Sequence, residues 1–121
     1  MSMNANYYVI MGFDLTGWKT SKYKDWKWTA EGETYTCNQR KEYIQLFDDP
    51  MDNRHFYLGY ILANGDEYDF KTTKINMWEL KEQELNILYA LKKLVDIGVV
   101  HESVFLSKDL KYELIVFEES T

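Results

Sequence analysis

Hydrophobic and polar positions along this chain follow two periods, one of two residues and one near 3.6. Tyr7-Tyr8-Val9-Ile10-Met11-Gly12-Phe13 is apolar on both faces and rich in strand formers. It predicts a buried strand that stops near Asp14. Glu33 to Asn38 and Lys41 to Phe47 read as further strands. Asp48 to Asn53, with the single proline at Pro50, reads as a turn, because Asp and Asn bond their own backbone and Pro cannot continue a ladder. His55 to Ala63 is aromatic and aliphatic throughout. Asn64-Gly65 follows, and then Asp66 to Thr73, in which Tyr68 and Phe70 alternate with Glu67, Asp69 and Lys71. Asn-Gly between two such runs predicts a type I′ hairpin, since both turn positions need positive φ.

The period then changes. Asn76 is placed to cap a helix, with Glu79 three residues on to complete a capping box. Leu85, Leu88, Leu91, Leu94 and Val95 recur at helical spacing, and Gly98 offers a left-handed stop. The expected helix, about 76–97, spans roughly 30 Å and crosses one face of a small sheet. Val104 to Leu106 and Lys111 to Phe117 return to strand. The reading is therefore α+β: an antiparallel sheet of about five to six strands packed by one long helix.

Size and composition narrow the class. The 121 residues form a single domain, 1–121, with no linker, no low-complexity segment and no repeat. Hydrophobic residues at 45% argue for a packed core and against disorder. A net charge of −6 weighs against extended contact with nucleic-acid backbone, which needs phosphate-neutralising Lys and Arg. Cys37 is the only cysteine, so no intramolecular disulfide can form. The N-terminus lacks the basic segment of a secretory signal, and no apolar run is long enough to cross a bilayer. These features fit a soluble, cytoplasmic protein.

Catalytic chemistry has little to stand on. The glycines at 12, 17, 32, 59, 65 and 98 match no phosphate-cradling motif, and HExxH, CxxC and GxSxG are missing. Cys37, His55 and His101 admit a Cys/His pair or a partial metal site, but nothing in their spacing selects either over one buried thiol and two ordinary histidines. Asp48, Asp49 and Asp52, with Asp66, Glu67 and Asp69 beside the hairpin turn, would offer oxygens to Mg²⁺ or Ca²⁺ if the hairpin joined them. Turns prefer the same residues, and EF-hand spacing is missing. No catalytic residue, metal ligand or cofactor is assigned.

One segment stands apart. Between Trp18 and Trp28, three of the four tryptophans are interleaved with four lysines in a stretch that has no clear period and reads as a loop with room for a helical turn. Four lysines against Asp25 give it a formal +3, so the rest of the chain, −6 in total, carries −9. Trp18, Lys19, Lys22, Tyr23, Lys24, Trp26, Lys27 and Trp28 are the candidate binding residues. Rings and cations together suit stacked bases, sugars or a protein contact. The competing reading is a small satellite core under a lysine rim, and Trp26-Lys27-Trp28 has the alternation of a strand edge. The acidity of the remainder ranks nucleic acid low.

The strand Tyr7-Tyr8-Val9-Ile10-Met11-Gly12 and the aromatic strand Phe56-Tyr57-Leu58-Gly59-Tyr60-Ile61-Leu62, separated by a polar loop, resemble small proteins of unknown function from tailed phages. The resemblance covers those two strands and carries no chemistry. It implies an accessory protein that binds and modulates a host or phage protein.

The expectation for function is thus a non-enzymatic binding module acting through protein contacts, with a protein partner or a second copy as its target. Acidic proteins that neutralise basic partners fit the −9 remainder. The alternative is a module that takes a nucleotide, single-stranded nucleic acid or sugar on the Trp18–Trp28 rings.

Overall fold

Four strands pair antiparallel in the order β2-β3-β1-β4. They are β1 (Ala5–Asp14), β2 (Ile44–Asp48), β3 (Phe56–Asp66) and β4 (Glu113–Ser120). The computed structural model describes residues 5–36, 44–48, 55–66 and 76–120. Two short helices, α1 (Tyr23–Trp26) and α2 (Ala30–Thr36), lie between β1 and β2, and the long helix α3 (Met77–Asp96) follows β3. A 3-10 helix, Glu102–Leu106, precedes β4. The α+β class and the helix packed on an antiparallel sheet hold, with four strands among the described residues rather than five to six.

Alternation along the strands builds two apolar layers. Phe13, Leu46, Phe56 and Leu58 face α3 and pack with its Ile87, Ala90, Leu91 and Leu94. Tyr8, Ile10, Phe47 and Ile61 form a second cluster, joined by Tyr57, Ile115 and Phe117. The intervening positions of each strand supply it, so it lies on the opposite face. Gly12 and Gly59 oppose each other across β1 and β3. A Cβ on Gly12 would run into the Leu58 carbonyl and reach the Gly59 Cα at 2.5 Å, so the two backbones approach closer than any side chain permits.

Two expected strands and the expected hairpin turn come out differently. Glu33 to Thr36 belongs to α2, which is launched by Thr29: its Oγ1 accepts from Gly32 N at 3.1 Å, and Glu31 and Glu33 sit in the first turn. Val104 to Leu106 lies in the 3-10 helix, where His101 Nδ1 accepts from Ser103 N. The Asn64-Gly65 hairpin is not formed. Both residues continue β3, opposite Tyr8 and Tyr7. A ten-residue β1 gives the strand a partner past Leu62, where the register slips by one residue. The positive φ that the turn required is found instead at Gly17 and Gly98. The hairpin's second arm beyond Asp66 lies outside the described residues.

Helix α3 keeps its expected ends. Asn76 Oδ1 accepts from Trp78 N at 3.0 Å. At the other end Gly98, φ +85, closes a Schellman motif: Val99 N donates to Leu94 O and Gly98 N to Val95 O, each at 3.0 Å. The face it buries takes only part of the expected series: Leu91 and Leu94 are fully buried, Leu88 and Val95 are half-buried against the core, and Leu85 is left out. A strict i+3 series drifts about 60° per step around the helix, which puts Leu85 and Leu94 on opposite sides. The sheet takes Leu80, Ile87, Ala90, Leu91 and Leu94. Leu85 is left 59% exposed.

Candidate functional site

The Trp/Lys stretch is largely structural. Its first residues are tied to the chain that follows α3: Thr20 N donates to Val99 O at 3.0 Å, and His101 N donates to Trp18 O at 2.8 Å. One helical turn, α1, then points Tyr23 inward, where it is 4% exposed and meets Phe56 edge-on with centroids 5.0 Å apart. Trp26 is half-buried between Tyr23 and Tyr35, at 6.1 and 5.7 Å. Its Nε1 is buried and has no hydrogen-bond partner among the described residues, so packing with Tyr23 and Tyr35 holds the ring. Trp18 is half-buried against the main core.

The lysines divide in the same way. Lys19 bonds Asp48 at 3.0 Å and lies over the Tyr23 and Phe56 rings. Lys27 reaches over Tyr23 and Trp28, while Lys22 and Lys24 are exposed. Trp28 alone of the three tryptophans faces solvent, at 71% exposure. The strand-like alternation Trp26-Lys27-Trp28 therefore does not place both rings on one face: the chain is leaving a helical turn there. The structure brings the eight candidate residues together, but mostly as a satellite layer of the core.

The other candidates separate. Cys37 and most of the two acidic loops, Asp49 and Asp52 with Glu67 and Asp69, lie outside the described residues. Asp48 is engaged by Lys19. His101 caps the 3-10 helix, and its Nδ1 lies 2.8 Å from Ser103 Oγ, a contact within an exposed cap. The His55 ring stacks on Tyr57 at 4.9 Å. Among the described residues no group of three or more His, Cys, Asp or Glu converges on a metal-sized site.

Sequence reasoning missed a second apolar surface. The outward face of α3 carries Trp78, 77% exposed, and Tyr89, 66% exposed, with Leu85 between them. Beside its C-terminal half, Phe105 of the 3-10 helix completes an open groove of about 570 Å³ floored by Leu85, Leu88, Tyr89 and Val95. Lys92, Asp96 and Glu102 form its rim. A signal was present in the sequence. Trp78, Leu85, Leu88 and Val95 share a heptad seam, with Lys81 and Lys92 at its two polar positions.

A third surface is polar. Between α2 and α3, Tyr35, Tyr60, Gln83 and Asn86 line a depression of about 520 Å³. It is crossed by the Lys93–Glu31 ion pair at 3.1 Å, and that hydrogen bond holds the Lys93 ammonium above its ordinary pKa. Burial raises the Tyr112 hydroxyl to about 12, with Glu84 adding to the shift, and the group donates to Leu80 O at 2.7 Å. Burial, then Asp14, also raises Tyr57. No helix among the described residues is long and apolar enough to cross a membrane. No protein-family model matches the chain, and searches of curated proteins and of solved structures return no match.

Proposed function

We propose that this protein is a non-enzymatic binding module that acts through protein contacts, and that the groove between α3 and the 3-10 helix is the contact surface. The observation that carries the reading is the outward face of α3, where large apolar side chains stay uncovered beside a concave, apolar floor. Isolated exposed hydrophobics are ordinary, but an apolar groove bordered by Tyr89 and Phe105 and rimmed by charge has the composition of an interface centre. Trp28, with Lys27 over its ring, offers a second and smaller contact from the Trp/Lys stretch. The resemblance of the two central strands to small tailed-phage proteins supports an accessory role, phage- or mobile-element-encoded, in modulating a host protein.

The ligand-binding alternative is weaker, because stacking needs exposed ring faces and Tyr23, Trp26 and Trp18 spend theirs on the core. A double variant, Leu85→Glu with Tyr89→Glu, tests the proposal. Affinity capture from the native host identifies partners, and each is then reconstituted with purified protein. The expected outcome is at least a roughly tenfold loss of affinity in a variant that keeps its circular dichroism and melting temperature. Equal affinity of wild type and variant for every partner removes the groove from the reading.

A further inference from the structure

The outward face of α3 fits a second copy of itself. We infer that two chains pair antiparallel through this face, each inserting Trp78 into the groove of the other; the inference rests on the protein-contact reading of that groove. An isologous two-fold contact requires one surface to carry both a projection and its matching recess. Trp78 is the projection, 77% exposed on the first turn of α3. The recess, beside Val95 and Phe105, lies at the opposite end of the same helix.

The spacing makes the two coincide. An axis passing midway between Leu85 and Leu88 sets each of these leucines against the other's copy. Trp78 and Val95 then sit equally far from the axis, about 13 Å at 1.5 Å per residue, so Trp78 of one chain falls opposite Val95 of the second. The same register is the antiparallel coiled-coil seam in which Trp78, Leu85, Leu88 and Val95 occupy the apolar positions.

Charge is compatible with this orientation. On this face the charges are Lys81 and Glu82 in the first half of α3 and Lys92 and Asp96 in the second, because Glu84 acts on Tyr112 and Lys93 is paired with Glu31. Antiparallel pairing sets Glu82 next to Lys92 of the second copy. Lys81 and Lys92 also approach each other, and Glu82 and Asp96 flank that contact. Area agrees as well. At about 150–250 Å² per buried aromatic, Trp78, Tyr89 and Phe105 put several hundred Å² of apolar surface in one strip. That is the upper end of what a monomer leaves uncovered and the scale of one side of a stable interface, about 800 Å².

The test is the mass in solution, by sedimentation equilibrium and light scattering on the full chain. The wild type is expected at twice the chain mass at about 100 μM, and Trp78→Ala and Leu85→Glu at the monomer mass with unchanged circular dichroism. Glu82→Lys is expected to weaken dimerisation roughly tenfold, and adding Lys92→Glu to restore it, because the reversed pair again faces its complement. A monomeric wild type overturns the inference, as does a dimer indifferent to Trp78→Ala and Leu85→Glu. If adding Lys92→Glu fails to recover what Glu82→Lys loses, the antiparallel register is wrong. A monomeric wild type whose reconstituted partner still loses affinity in Leu85→Glu with Tyr89→Glu would leave the protein-contact reading standing without this one.

Discussion

Single residues in this chain matter mostly through where the backbone puts them. Tyr112 is the clearest case. Its hydroxyl donates to the Leu80 carbonyl at 2.7 Å, which anchors the start of β4 to the first turns of α3, and burial pushes its pKa to about 12 from an ordinary 10.0. A folded-state pKa above the unfolded one means the folded chain holds that proton more tightly. The stabilisation is complete below pH 10 and is lost as pH rises toward 12. Tyr112→Phe is expected to cost about 0.5–1.5 kcal/mol at neutral pH. The gap between variant and wild type should narrow in urea melts taken at rising alkaline pH. A gap that stays constant would mean that the hydroxyl does not titrate as its surroundings require. His101 and Thr29 show the same principle in another form: a side chain with chemical potential is used to start a turn.

At the scale of elements, α3 decides most. It carries two apolar arcs about half a turn apart, and only one can face the sheet. Leu91, fully buried among Leu58, Phe56 and Leu94, belongs to the inner arc, whereas Leu85 belongs to the outer. Removing a buried leucine costs about 2–5 kcal/mol, and placing a carboxylate there costs more, against a total stability of about 5–15 kcal/mol. Leu91→Asp is therefore expected to abolish the cooperative melt. Leu85→Asp, on the exposed arc, should keep it within about 0.5 kcal/mol for the monomer. Equal damage from both substitutions would show that the arcs are misassigned. The ends of α3 were legible from the sequence because caps are local: Asn76 and Gly98 act on backbone groups within a turn of themselves. The buried face was not legible from leucines alone, because an i+3 series spirals across a 3.6-residue helix.

For the whole molecule, charge and burial act together. The basic stretch sits on a chain whose remainder is −9, and part of its charge is spent internally, with Lys19 on Asp48. Single-stranded DNA titrated against tryptophan fluorescence should give no saturable quenching at physiological salt. Saturable quenching whose affinity falls with salt at a slope near −0.7 per phosphate contacted would revive the nucleic-acid reading.

The sequence by itself determined the α+β class, the four strands β1 to β4 in outline, and helix α3 with both of its ends, since period, propensity and capping are properties of neighbouring residues. It also marked the Trp/Lys stretch as unusual. Tertiary structure decided the rest. Asn64-Gly65 stayed extended because β1 is long enough to pair with it, and no local preference encodes a partner 56 residues away in sequence. Tyr23 and Trp26 turned inward because the Val99–His101 segment ties down Trp18 and Thr20 before them, while Phe56 of β3 and Tyr35 of α2 give the two rings partners. The outer arc of α3 became a candidate contact surface only once the sheet had claimed the inner one, because exposure is a property of the assembled core.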